Sequence, residues 1–221
     1  MALLISEPTL LLDQQKCLNN LDVMLAKCQK LGLDFRPHFK THQSIQIGRW
    51  FRERGIHKIA TSSLKMAEYF AQDNWTNITV AFPTNILEID RINRLASKIE
   101  LNLLIQSVDV LEFLNQQLQF PVNAYIQIDL GYGRTGFRSD EMPTINRIVT
   151  AIRQTNKIRW KGFLGHAGHS YSAKNISEIR RVHQQALDQM QIIYDYFSAR
   201  YSSLEISIGD TPCCSSMSSF G

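Results

Sequence analysis

Apolar residues follow two different spacings along this chain, and each spacing predicts a different element. Leu18, Leu21 and Leu25 recur every three or four residues, which predicts a helix that ends at Gly32. Short runs rich in valine, isoleucine and leucine, such as residues 78–82, predict strands instead. The two kinds of segment alternate along most of the sequence.

Seven strands are predicted, each separated from the next by one helix. The predicted strands cover residues 34–40, 58–62, 78–82, 100–105, 122–130, 160–166 and 204–208. After the first helix, further helices are predicted up to residue 54, around 66–69, and at 86–97, 108–118, 143–154 and 175–201. Strand–helix–strand repeats of this kind form right-handed units around a parallel sheet.

Two architectures fit such units: an open doubly wound sheet and a closed eight-stranded barrel. Units of near-equal length, with polar residues at the carboxyl end of nearly every strand, favour the barrel. The sequence therefore predicts an α/β fold, a parallel (β/α)8-type TIM barrel with about seven of its eight strands present. We interpret the chain as truncated, with the barrel domain at residues 13–221 and an apolar segment at residues 1–12.

The composition narrows the choice of partners. Apolar residues make up 44% of the chain and charged residues 20%, and the net charge of +4 is scattered rather than concentrated in a stripe. No apolar run is long enough to span a membrane, and the first residues lack the features of a signal peptide. We therefore expect a cytoplasmic protein with neither nucleic-acid nor membrane partners.

The segment from Arg36 to His42 contains the most closely spaced candidate reactive side chains in the sequence. Alternation along a strand places Arg36, His38, Lys40 and His42 on one face and Phe39 on the other, helix-covered face. An exposed edge strand with a solvated basic face is the plainer interpretation, but the flanking helices argue against exposure. Crowded cations and partial desolvation lower the pKa of a lysine, so Lys40 is the candidate nucleophile.

A glycine-rich loop follows the fifth predicted strand. Gly131 to Gly136 spells the GxGxxG pattern of dinucleotide-binding folds. That match is weak, because the loop lies mid-chain after four earlier units and the next strand supplies no acid for a ribose. A glycine turn with a solvated Arg134 is the structural alternative.

Two later strand ends also carry candidate groups. The sixth predicted strand ends at His166 and leads to His169 and Tyr171. A lone histidine on an apolar strand is usually a core residue, but active sites of this fold gather at carboxyl strand ends, where His166 lies. After the seventh strand, the glycine turn at residues 209–211 can present backbone N–H groups and a hydroxyl to a phosphate.

In this order, the four motifs resemble those of the D-threonine aldolase and D-serine dehydratase family, whose barrel is similar to that of alanine racemase. The resemblance implies pyridoxal 5'-phosphate held as a Schiff base on Lys40. It also implies a set of cofactor-binding residues around that lysine. They are His38, Arg134 at the phenolic oxygen, His166 against the ring, Tyr171 near the phosphate, and Gly209, Asp210 and Thr211 at the phosphate. Asp210 departs from the small residue expected there, so we expect it to contribute only its backbone.

The same resemblance implies a lyase acting on D-β-hydroxy amino acids. Either D-threonine is cleaved by a retro-aldol step, or D-serine is dehydrated and deaminated. In the family a divalent metal, Zn or Mn, is held in a carboxyl-terminal β-domain; its ligands are absent from this sequence, so no metal site is assigned. The segment 1–12 is expected to pack with that missing domain, and the full-length form is expected to be a homodimer. An amino-acid racemase on the same barrel, and a catalytically inactive cofactor-binding fragment, remain as alternatives.

Overall fold

A computed structural model describes residues 5–9 and 11–220 of the chain. The α-helices are α1 Gln14–Lys30, α2 Ile45–Arg52, α3 Leu64–Ala71, α4 Ile89–Ala96, α5 Val108–Gln117, α6 Met142–Arg153, α7 Ile176–Ser198 and α8 Thr211–Ser216. The strands are β1 Lys58–Thr61, β2 Asn77–Pro83, β3 Glu100–Ile105, β4 Val122–Ile128, β5 Ile158–Gly165 and β6 Glu205–Ile208. Short 3-10 helices occupy Ile86–Glu88 and Gly168–Ser172.

The six strands form one parallel sheet in the order β1-β2-β3-β4-β5-β6. Because every strand pairs with its sequence neighbour, the sheet forms part of a barrel rather than a doubly wound sheet. The predicted α/β barrel is therefore confirmed. Strand β3 has the predicted bounds, and most other elements shift by only a few residues.

The first predicted strand, residues 34–40, is wrong as a regular strand. Only His38 pairs with the sheet, through a single parallel bridge to Ala60. Pro37 has no N–H to donate, although its carbonyl accepts from the N–H of Ala60. The chain turns directly after Phe39, whose carbonyl accepts from the N–H of Gln43, so no ladder can extend.

Helix starts follow from capping residues that can be read in the sequence. At each of these starts a short polar side chain accepts the backbone N–H three residues later, which satisfies one of the free donors of the first turn. The capping residues are Asp13, Ser44, Ser63, Ser107, Asn175 and Asp210. The helices then bury their apolar faces against the outer face of the sheet, which carries Ile78, Leu101 and Phe163.

The inner face of the sheet is polar in its amino-terminal half. Asn77, Asn102 and Asn123, on three adjacent strands, bond to one another at 3.2 and 3.1 Å. The Glu100 carboxylate accepts from Asn77 at 2.6 Å and from Asn123 at 2.7 Å, which closes the network. We call these four residues the carboxamide network. Barrel interiors of this class are usually filled by branched apolar residues, so the sequence pattern does not predict it.

The predicted amino-terminal segment lies partly outside the described residues, because residues 1–4 and 10 are not among them. Its described part contains neither helix nor strand, and its packing with another domain stays a prediction. The same holds for the domain boundary at residues 12 and 13. Within the described part of the chain, no helix is long and apolar enough to cross a membrane.

Candidate functional site

The segment that carries Lys40 is fixed by its neighbour Phe39. The Phe39 side chain is fully buried and lies edge-on to the rings of Phe51, Phe70 and Trp75, with centroids 4.9 to 5.1 Å apart. On the other side of the sheet, Arg36 donates to the Asn77 amide oxygen at 2.8 Å. Lys40 itself is exposed, in the turn that follows these two anchored positions.

His42 does not share the face predicted for it. Its ring lies 4.5 Å from that of Phe39 and 5.7 Å from that of Phe51, on the helix side of the sheet. The cause is the turn after Phe39, which ends the two-residue alternation before His42 is reached. Burial lowers the pKa of His42 to about 4. The predicted basic face is thus interrupted, and His42 is part of the aromatic core.

His38 contacts the backbone of Lys40 and lies within electrostatic reach of His166 at the end of β5. Its Nδ1 accepts from the backbone N–H of Lys40 at 3.2 Å. Burial, together with the positive charges of Lys40 and His166, lowers the pKa of His38 to about 4. His38 is therefore neutral at physiological pH and does not add a charge beside Lys40.

The glycine-rich loop after β4 is built around Asp129. Its carboxylate accepts the backbone N–H groups of Gly131, Tyr132 and Gly133 at 3.0 to 3.1 Å. Consecutive N–H groups that converge in this way form a nest that holds an anion. In a dinucleotide fold that anion is a phosphate; here the nest holds the carboxylate of the chain itself. The geometry therefore does not favour a dinucleotide at this loop.

Arg134 follows this nest and lies against an aromatic side chain. Its guanidinium lies 5.5 Å from the centre of the Tyr132 ring. A Cβ added at Gly168 would come within 2.6 Å of the same ring, so only glycine leaves it room. His169 lies behind Tyr132 with the two rings roughly parallel, 6.4 Å apart. Arg134 and His166 line one small depression, with Gln127 and Tyr132 in its wall.

The ends of β5 and β6 are joined by polar contacts. His166 Nδ1 lies 2.7 Å from the carbonyl oxygen of Gly209, which can only accept, so Nδ1 carries the proton. The Tyr171 hydroxyl donates to Thr211 Oγ1 at 3.1 Å and accepts from the Thr211 N–H at 3.2 Å. The hydroxyls of Tyr171 and Thr211 therefore meet at the start of α8.

Asp210 is turned away from that meeting point. Its carboxylate accepts from the N–H of Cys213 at 2.9 Å and from the hydroxyl of Ser170 at 2.6 Å. It thus caps α8. This position agrees with the expectation that only its backbone is available to a ligand, while its role stays a prediction.

Comparison with known proteins gives the family. Residues 12–217 match the family described as alanine racemase, N-terminal domain. The chain belongs to this family. The alanine racemase-like fold predicted from the four motifs is thereby confirmed.

Within this family, dehydratases are among the similar curated proteins. A D-serine dehydratase of Dictyostelium discoideum is 27% identical over 231 residues, which cover 96% of this chain and 57% of the relative. A D-threo-3-hydroxyaspartate dehydratase of Delftia sp. (strain HT23) is 26% identical over 175 residues, which cover 76% of this chain and 45% of the relative. The chain spans about half the length of the curated relatives it matches.

Solved structures agree in fold. The D-threo-3-hydroxyaspartate dehydratase from Delftia sp. HT23 superposes with a TM-score of 0.84 at 24% identity, covering 94% of this chain and 56% of that one. The D-threonine aldolase from Filomicrobium marinum superposes with a TM-score of 0.80 at 16% identity, covering 96% of this chain and 65% of that one. At these identities the likeness concerns the fold alone.

Several residues of this family member's site escape the sequence argument. Asp129 and Gln127 precede the glycine loop, and Tyr132 lies within it. Ser170, which donates to Asp210, directly follows His169 in the 3-10 helix Gly168–Ser172. Asp129 had one available signal, since an aspartate two residues before a glycine turn often accepts the N–H groups of that turn. Among residues 5–9 and 11–220, no group of three or more His, Cys, Asp or Glu side chains could hold a metal ion.

Proposed function

We propose that this chain is the cofactor-binding barrel of a pyridoxal phosphate-dependent lyase acting on D-β-hydroxy amino acids. One observation carries the proposal: the four motifs meet around His166. It shares a depression with Arg134, its Nδ1 contacts the Gly209 carbonyl, and it is close enough to His38, beside Lys40, to contribute to the lowered pKa of His38. Such convergence at the carboxyl ends of parallel strands is where barrel enzymes place their active sites.

The donors at this edge fit an anionic cofactor. Thr211 and Tyr171 supply one N–H and two hydroxyl groups that bond to one another here and would suit a phosphate if they turned toward it. Both nearby carboxylates, Asp129 and Asp210, already accept several donors of the chain. These hydrogen bonds hold both carboxylates against the chain's own donors, which partly offsets their negative charge. Lys40 is accessible to an aldehyde and Arg134 supplies a fixed positive charge.

When bound, pyridoxal phosphate withdraws electrons from the bonds at the Cα atom of an amino acid. The chain's own residues then have separate tasks. The Lys40 amine would hold the cofactor through its aldehyde, with loss of water, and would be the base available for the Cα proton. Arg134 would supply positive charge to the phenolic oxygen. His166 donates its Nδ1–H to the Gly209 carbonyl, which fixes the orientation of the ring.

Dehydration is favoured over aldol cleavage. Both named curated relatives are dehydratases, at 27% and 26% identity, whereas the aldolase likeness rests on fold at 16% identity. We therefore propose D-serine or a 3-hydroxy derivative of a D-amino acid as the substrate, with loss of the β-hydroxyl and release of ammonia. Because the chain spans about half of these relatives, turnover, a divalent metal and a homodimer are proposals for a chain of their length.

The test begins with cofactor attachment. The purified chain is mixed with pyridoxal phosphate, reduced with borohydride, digested and mapped by mass spectrometry. We expect a single pyridoxyl group on Lys40, lost in Lys40→Ala and retained in Lys65→Ala, an exposed lysine on α3. Labelling spread over exposed lysines of a folded chain would contradict the proposal.

Product analysis then separates the reactions in a chain of the relatives' length. Release of ammonia and a keto acid from D-serine supports the dehydratase. Glycine and an aldehyde from D-threonine would indicate the aldolase, and loss of optical rotation from one enantiomer of alanine would indicate a racemase.

A further inference from the structure

We infer that Asp129 is a positioning residue for Arg134: its carboxylate is the internal anion that folds the loop on which Arg134 is presented. The inference rests on the proposed function for its meaning, since Arg134 is the proposed cofactor contact. Its physical basis is independent of any ligand. The loop runs from Asp129 to Phe137 and we call it the arginine loop.

The arginine loop is closed at its base by the sheet itself. The N–H of Asp129 donates to the Phe137 carbonyl, and the N–H of Phe137 donates to the Gln127 carbonyl, both at 2.9 Å. Gly136 has φ +106, and a Cβ there would lie 2.9 Å from the Gln127 carbonyl oxygen. The two ends of the loop are therefore in direct backbone contact, and only glycine fits between them.

Within the described part of the chain, the backbone N–H groups at residues 131–133, the tip of the loop, bond only to the Asp129 carboxylate. Gly131 and Gly133 adopt φ +95 and +70, which turn successive N–H groups toward one point. The Asp129 carboxylate occupies that point and accepts from residues 131, 132 and 133. Removing the carboxylate leaves three convergent N–H dipoles without an acceptor, which favours a different loop conformation.

Arg134 depends on this arrangement through Tyr132. The Tyr132 N–H is bound to Asp129, and its ring lies against Gly168 on one side and the Arg134 guanidinium on another. Fixing the backbone of Tyr132 therefore fixes the surface that supports the guanidinium. Asp129 need not touch the cofactor to influence it.

The first experiment uses the chain without cofactor. Amide hydrogen exchange of the peptide covering residues 129–137 is compared in the original chain, in Asp129→Ala and in Asp129→Asn. We expect exchange at residues 131–133 to rise about tenfold or more in Asp129→Ala. Asp129→Asn, which keeps one accepting oxygen without the charge, should lie between the two. Asp13→Ala, which removes an equivalent cap from α1, should leave this peptide unchanged.

The second experiment is a double-mutant cycle on pyridoxal phosphate affinity, measured by absorbance. Asp129→Ala should weaken binding about ten- to a hundredfold, the scale of a misplaced contact. In an Arg134→Ala background the same change should have little further effect, because both act through one group. A merely structural role of Asp129 would weaken binding equally in both backgrounds.

The outcomes are distinguishable. Unchanged exchange in Asp129→Ala overturns the inference, and so does faster exchange with additive effects on affinity. If the original chain does not bind pyridoxal phosphate at all, the proposed function fails. The hydrogen-exchange comparison still tests the role of Asp129 in that case. Faster exchange at residues 131–133 in Asp129→Ala would support Asp129 as the anion that folds the arginine loop.

Discussion

Replacing Phe39 should reveal how strongly the hydrophobic core holds the lysine segment. The perturbation is Phe39→Ala, next to Lys40. The Phe39 side chain is 0% exposed and contacts four aromatic rings, those of Phe51, Phe70, Trp75 and His42. No regular strand pairing holds residues 34–40, so this side chain is a main attachment of the segment.

The magnitude follows from the burial and the ring contacts. Truncating a fully buried phenylalanine to alanine typically lowers the free energy of unfolding by about 3–5 kcal/mol. Edge-on aromatic pairs add about 0.5–1.5 kcal/mol each beyond their buried area, which places Phe39 at the upper end of that range. Phe39→Leu keeps most of the volume and should cost roughly half as much.

The assay is urea unfolding followed by far-ultraviolet circular dichroism, with linear extrapolation to water. Phe120→Ala is the matched control, because that side chain is 41% exposed and should change stability by about 0.5 kcal/mol or less. A Phe39→Ala chain within about 1 kcal/mol of the original would refute the reasoning. It would mean that the segment is held by Arg36 and the single bridge rather than by the core.

Two further predictions concern acid sensitivity and packing. Both His38 and His42 have folded pKa values of about 4 against an ordinary value of 6.5, so the unfolded chain binds protons that the native chain does not. Stability should be nearly constant between about pH 7 and 8 and fall from pH 6.5 to 4 by roughly 3 kcal/mol from His38, with a smaller contribution from the more solvent-screened His42. Urea titrations at several pH values check this, and a loss confined to alkaline pH would contradict it. Gly168→Ala should cost about 1–3 kcal/mol by overpacking against Tyr132, and much less in a Tyr132→Ala background, where the clash is gone. Equal costs in both backgrounds, again by urea unfolding, would show that the ring is not what the added methyl meets.

The elements that follow one periodicity are those that the sequence predicts well. Strand β3 is predicted without error because it is a clean apolar run. Helices α5 and α6 are predicted to within a residue or two, because each combines apolar spacing with a capping serine or a proline. The prediction of a strand at residues 34–40 is wrong. Alternation alone cannot distinguish a regular strand from a segment that makes one bridge and turns directly after Phe39. Pro37 was the available warning.

The sequence predicts where the candidate site lies, but not which hydrogen bonds and ring contacts hold its residues in place. That Arg134, His166 and Thr211 follow the carboxyl ends of β4, β5 and β6 is expected of a parallel barrel. That Asp129 accepts the N–H groups of the glycine loop cannot be predicted in this way. A glycine pattern in the sequence suggests a bound phosphate rather than a carboxylate of the chain itself. Likewise, the place of His42 depends on a backbone turn that no periodicity records.

The carboxamide network bears on how the sheet avoids mispairing while it assembles. The backbone of Asn77 is aligned with Glu100, and that of Asn102 with Asn123, so their side chains meet only in this alignment. Sliding one strand by a single residue would bury a carboxamide against the helices beside Ile78 and Leu101. The hydrogen-bonding groups would then lose their partners in an apolar layer. These polar residues thus discriminate against misaligned intermediates, a selectivity that an inner face of interchangeable valines and leucines would lack.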